Sequence, residues 1–115
     1  MKLEVKNLTK NFKSTIAVNN ISFYIEKNKT LGLLGPNGCG KTTSIGMMLG
    51  LITPSSGEII INETKLEEKS RIKLLKLMNF ASPYIELPKK LTVKQNLEVY
   101  ARLYGVKEIK KRSEE

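Results

Sequence analysis

Gly35-Pro36-Asn37-Gly38-Cys39-Gly40-Lys41-Thr42 satisfies the pattern G-x-x-x-x-G-K-[ST], and a second hydroxyl follows at Thr43. Glycines at 35, 38 and 40 free the backbone to turn successive N–H groups inward. The result is a concave anion nest, reinforced by the positive end of the helix that the pattern opens. Polyphosphate is the matching ligand. Lys41 would bring a compact point charge to the β- and γ-phosphate oxygens, Thr42 would offer its hydroxyl to Mg²⁺ beside them, and Thr43 would touch the α-phosphate. A glycine-rich turn that binds nothing has no reason to set a lysine and two hydroxyls at a helix start.

Such a loop works only between a buried strand and a helix, and the flanking residues supply both. Thr30-Leu31-Gly32-Leu33-Leu34 is a short, nearly continuous apolar run of the kind buried on both faces in a parallel sheet, and it is expected to be the central strand. After the loop, Ile45, Met48, Leu49 and Ile52 fall at i, i+3, i+4 and i+7, which predicts one helix face against the core. Thr53-Pro54-Ser55-Ser56-Gly57 stops that helix.

Upstream, Leu3, Val5 and Leu8 alternate with Lys and Glu as in a half-buried strand, and Ile21 to Ile25 reads as a second. Downstream, Glu58 to Ile61 reads as a strand, and the segment carrying Ile72, Leu74 and Leu75 as a short helix. Leu77 to Ala81 can form a further strand, and Pro83 and Pro88 bracket a loop. Thr92 with Gln95 forms a capping box opening a helix that Gly105 closes, with the stripe Val93, Leu97, Tyr100, Ala101 and Tyr104. Lys107 to Glu115 is either a solvated helix start or a frayed end.

Composition bounds the rest. The 115 residues suffice for one small domain or part of one, and 40% hydrophobic with 27% charged residues is ordinary globular usage. Twenty Lys+Arg against eleven acids leaves +9. There is no His, so Ser-His-Asp and Cys-His mechanisms are excluded, and there is no Asp, so every carboxylate side chain is a Glu. One Cys excludes an internal disulfide and a cysteine zinc site, which suits a reducing cytosol. No signal peptide or membrane span is expected.

Leu31 to Thr43, followed by Leu51-Ile52-Thr53-Pro54-Ser55-Ser56-Gly57-Glu58-Ile59, closely resembles the first half of an ABC transporter ATP-binding subunit, and the likeness spans nearly the whole chain. Leu8-Thr9-Lys10-Asn11-Phe12 resembles the strand that bears the family's adenine-stacking aromatic, which implies Phe12 as the base platform, the alternative being a core aromatic of the first sheet. Leu91 to Leu97 resembles the family's L-T-V-x-x-N-L run, and Tyr100 to Gly105 continues the likeness toward exporter-type members.

The resemblance implies an α/β P-loop NTPase fragment over residues 1–115, with an N-terminal antiparallel β layer and the start of a parallel core. It implies ATP and Mg²⁺ as ligands, dimerisation, a membrane permease as partner, and a peripheral place at the cytoplasmic face of the cell membrane. The site is then Phe12 with Gly35, Pro36, Asn37, Gly38, Cys39, Gly40, Lys41, Thr42 and Thr43, with Thr42 on the metal.

Departures from the family pattern are equally specific. The family's glutamine between the two halves has no counterpart, since Gln95 is the only Gln, and Ser82 falls at or next to its position as a substitute metal or water ligand. The glycine-rich signature, the metal-holding Asp with its catalytic Glu, and the switch His are lacking. The chain is therefore expected to bind ATP without hydrolysing it alone, and to leave a hydrophobic sheet edge beside the strand before the loop. Rival readings are a basic nucleic-acid-binding module, a non-transport ABC ATPase and an inert gene remnant. The first is disfavoured because Lys is spread along the chain, so no nucleic-acid partner is expected.

Cys39 lies inside the expected nest, so a bulky maleimide on its sulfur is expected to abolish ATP binding. Equal affinity of labelled and unlabelled protein, measured by equilibrium dialysis, would place the thiol outside the nest.

Overall fold

Alternation at Leu3 and Val5 sends both side chains to one face of a strand, but Leu8 is out of phase with them by one residue. A computed structural model, which describes residues 1–82 and 86–112 with the side chain of Lys111 excepted, shows how the phase is recovered. The first strand, β1, runs Leu3–Phe12 and pairs antiparallel with β2, Thr15–Ile25. Register shifts separate Val5 from Leu8, and Asn7 between them has φ 48° with its N–H donating to the Ser22 hydroxyl. The irregularity turns Leu8 inward, where it is fully buried beside Leu3 and Val5.

On its other side β1 pairs antiparallel with β3, Ser56–Ile61, which carries Ile59 and Ile61 into the same core. Asn62 and Glu63, both at positive φ, make a two-residue turn into the short strand β4, Thr64–Lys65. The sheet order is β2-β1-β3-β4, every pairing antiparallel.

Two helices complete this unit, which spans Met1–Asn79. The first, α1, runs Lys41–Met48 and fully buries Ser44, Gly46 and Met47, while Met48 and Ile52 of the expected stripe pack half-buried against the core. The helix ends early. Gly50, at φ 64°, donates to Met47 O and Leu51 N–H donates to Gly46 O, a Schellman closure that takes Leu51 and Ile52 off the helix. Ile52 then folds back, its Cδ1 standing 2.8 Å from where a Cβ on Gly46 would be.

The second helix, α2, runs Glu68–Leu75 behind a Glu67/Ser70 capping box. Leu74 enters the core, while Ile72 on the opposite face is 74% exposed.

Two expected strands are not formed. Thr30–Leu34 has no strand partner among the described residues, and Leu34 is 93% exposed. Extended backbone needs a neighbour to take its N–H and C=O groups, and the run finds none there. Leu77–Ala81 likewise carries no strand pairing. Of the prolines expected to bracket a loop, Pro83 lies outside the described residues, as do residues 113–115.

The second unit, Phe80–Glu115, is built on α3, Val93–Leu103. Its capping box is formed as expected, with Gln95 N–H on the Thr92 hydroxyl and Thr92 N–H on Gln95 Oε1. Gly105 closes it, and a short helix, α4, follows at Ile109–Arg112. Asn96 is buried, its amide donating to the carbonyls of Pro88, Leu91 and Thr92 at 3.3, 3.2 and 3.1 Å. That side chain staples the turn before the helix. The stripe residues Val93, Leu97, Tyr100 and Tyr104 are exposed.

The two faces of α2 give a direct test. Leu74→Ala is expected to cost about 2–5 kcal/mol, and Ile72→Ala no more than about 0.5 kcal/mol, in urea unfolding. Equal costs would mean that α2 does not seat Leu74 in the core.

Candidate functional site

Nothing in the first turn of α1 neutralises its positive end, because the turn contains no acidic residue and its N-cap, Gly40, supplies no capping side chain. The first helical backbone bond is Ser44 N–H to Gly40 O at 2.8 Å. The N–H groups of Lys41, Thr42 and Thr43 therefore precede the helical ladder and are donors in search of acceptors. Gly35 through Cys39 are exposed, as is Thr42, while Lys41 and Thr43 are half-buried.

Lys41 folds over the loop that precedes it. Its ammonium donates to Gly35 O at 2.5 Å and Pro36 O at 2.6 Å, with Cys39 Sγ at 3.7 Å. The loop is drawn around one cation, which holds the start of the loop against its end. An ammonium bonded to neutral carbonyls can exchange them for anionic oxygens, which accept stronger, charge-assisted bonds.

What aims this loop is a contact with β2. A Cβ placed on Gly40 would run into the Ala17 backbone carbonyl and come within 3.2 Å of Val18 Cγ2. Only a residue without a side chain permits the approach, and at φ 94° only glycine adopts the backbone readily. Val18 is itself in the core and is the cross-strand partner of Lys10 on β1. The phosphate loop is thus seated on the β1–β2 hairpin.

Phe12 lies at the end of that hairpin, opposite Thr15. It is 47% exposed and outside the core cluster, so it is not the core filler that an aromatic in a first sheet commonly is. Its ring carries the Lys10 ammonium 5.0 Å from the centroid. Ser82, the remaining expected site residue, belongs to the second unit and is half-buried.

The structure thus brings Gly35 to Thr43 together as one loop and ties it, through Gly40, to the strands that bear Phe12. Sequence reasoning missed Ala17, Val18 and Lys10. Ala17 takes part through its backbone carbonyl, which no residue type announces, and the other two are visible only once the strand register is known. Among the described residues, no group of three or more Cys, Asp or Glu is arranged to hold a metal.

A glycine loop that delivers a lysine and a threonine to the first turn of a helix, beside an antiparallel sheet, defines a P-loop nucleotide-binding fold. A family model described as ABC transporter matches residues 18–115, and the chain belongs to that family.

The chain is 36% identical over 105 residues to the Probable multidrug ABC transporter ATP-binding protein YbhF of Escherichia coli, covering 91% of this chain and 18% of that protein. With the Zinc import ATP-binding protein ZnuC of Rickettsia conorii it shares 50% identity over 60 residues, 52% of this chain and 26% of ZnuC. A solved structure, a putative ABC transporter ATP-binding protein from Pyrococcus furiosus, superposes with a TM-score of 0.78 at 32% identity, covering 92% of this chain and 50% of that one. The chain spans half or less of the length of each.

Gly40→Ala and Gly38→Ala separate backbone conformation from close approach, since Gly38 at φ 82° has nothing within 4 Å of an added Cβ. Gly38→Ala is expected to cost about 1–2 kcal/mol for its left-handed backbone alone, and Gly40→Ala clearly more. Equal losses in urea unfolding would show that the loop does not press on β2.

Proposed function

We propose that this chain is the MgATP-gripping part of the ATP-binding subunit of an exporter-type ABC transporter. The observation that carries the reading is Lys41. Its ammonium is poised on two loop carbonyls at the first turn of a helix, a turn that contains no acidic residue. The donor set suits a triphosphate with its metal: one cation, a run of amide N–H groups, and the hydroxyls of Thr42 and Thr43.

In this reading the backbone from Gly35 to Gly40 cradles the phosphates, and Lys41 moves from carbonyl to phosphate oxygens. Thr42 holds Mg²⁺, Thr43 reaches the α-phosphate, and Phe12 stacks on the base. Mg²⁺, when bound with the nucleotide, supplies positive charge between the phosphoryl groups. Each of these side chains binds or orients; none moves a proton. Turnover by this chain alone is not expected, because its 115 residues include neither Asp nor His to hold the metal from a second side or polarise water.

In the assembled transporter the subunit would sit on a permease at the cytoplasmic face of the membrane and pair with a second ATP-binding domain. No helix among the described residues is long and apolar enough to cross a membrane, which suits a peripheral place. Export is supported by the run from Leu91 to Gly105 and by the likeness to YbhF, named as a multidrug transporter protein; ZnuC is named for import.

Calorimetric titration with MgATP tests the reading. The expected outcome is saturable binding that Lys41→Ala weakens at least about tenfold, as the loss of a charge-assisted contact requires, with no phosphate release by either protein. Folded wild-type protein that gives no heat with MgATP would overturn it.

A further inference from the structure

Lys10 makes two contacts that nothing in the phosphate loop requires. Its ammonium stands 5.0 Å from the centroid of the Phe12 ring and donates to Thr53 O at 2.7 Å. The acceptor lies in the segment that follows α1. That segment is bound to the same end of β1 twice more, by Ser55 N–H on Thr9 O at 2.9 Å and by Asn11 N–H on the Ser55 hydroxyl at 3.0 Å.

Lys10 therefore joins three things: an aromatic ring, the segment after the phosphate helix, and, through its cross-strand partner Val18, the strand on which Gly40 is seated. We propose that Lys10 is a positioning residue for the base of the bound nucleotide, holding one face of the Phe12 ring so that the other is offered for stacking. The proposal rests on the nucleotide-site reading given above.

Two physical points favour it. A half-exposed phenylalanine at the tip of a hairpin is free to turn about its side-chain bonds, and freezing those rotamers costs binding energy when a ligand must do it. A cation anchored on a backbone carbonyl and lying over one ring face removes part of that freedom before any ligand arrives. The Lys10–Val18 pair and the Phe12–Thr15 pair sit on one hairpin, two residues apart along β1, about 7 Å at strand rise. The pairing is irregular between Lys10 and Asn11, yet the ring and the loop are both referred to this one hairpin. A base joined to a triphosphate in the loop would have its stacking surface within the same framework.

The test compares MgATP with magnesium tripolyphosphate, which has the phosphates and no base, on the full chain. Lys10→Met is expected to weaken ATP about threefold to tenfold, the range for losing a partly exposed cation–π contact with its carbonyl anchor, and to leave tripolyphosphate unchanged. Lys10→Arg, which keeps both contacts, should stay within about twofold of wild type. Phe12→Ala should lose at least as much ATP affinity, and adding Lys10→Met to it should cost nothing more, because the residue would act through the ring.

A Lys10→Met variant that weakens both ligands equally would overturn the proposal, since Lys10 would then act as a general charge or through the fold. So would one that binds ATP like wild type. Wild-type protein that takes tripolyphosphate as tightly as ATP would sink the ring as a base platform while leaving the loop intact. Folded protein that binds neither ligand would remove the loop reading itself and this proposal with it.

Discussion

Gly40 meets the Ala17 carbonyl where a side chain would otherwise stand, and the remaining geometry of the site is referred to that contact. It sets the first turn of α1 directly on β2, with no layer of side chains between. The helix start carries the lysine and the two hydroxyls, so the contact also decides where those groups stand. Val18, the neighbour in this contact, belongs to the core and faces Lys10 across the hairpin. A backbone approach of one glycine thereby relates the glycine loop and its lysine to the aromatic end of two strands.

The electrostatics follow from the same placement. A helix start with no acidic residue in its first turn and no capping side chain keeps its positive end available, and Lys41 adds a full charge to it. The carbonyls of Gly35 and Pro36 hold that charge in place without neutralising it. The +9 of the whole chain is a different matter. It comes mostly from exposed lysines spread over both units, and spread charge raises encounter with anions in general, whereas the loop is proposed to select one kind.

The strands and helices were legible to different degrees, each for a physical reason. β1 and β3 were visible because alternation and β-branched residues mark a half-buried strand, and α3 because Thr92 and Gln95 can satisfy each other's backbone donors. The helix after the loop was legible in existence and only in part in phase. Its apolar spacing continued to Ile52, while the backbone closed at Gly50; Met48 and Ile52 pack against the core as expected, but the fully buried positions are Ser44, Gly46 and Met47. Thr30–Leu34 misled for the opposite reason. Its composition suits a strand buried on both sides, but a strand is a relation between two segments, and no described segment pairs with it.

The make-up of the candidate phosphate loop, Gly35 to Thr43, is legible in the sequence by itself, because the demands that a triphosphate would make on backbone freedom, charge and hydroxyls are local and fall within nine consecutive positions. The same sequence contains neither Asp nor His, so every carboxylate side chain in it is a Glu. Only the tertiary structure decided what the loop rests on, which way Leu8 faces after the irregularity at Asn7, and that Lys10 reaches both Phe12 and Thr53. Gly40 and Ala17 are 23 positions apart and Lys10 and Thr53 are 43 apart, and each meeting uses a backbone carbonyl that every residue possesses, so no pattern of residue types announces it; Lys10 and Phe12, two positions apart, meet through their side chains along β1.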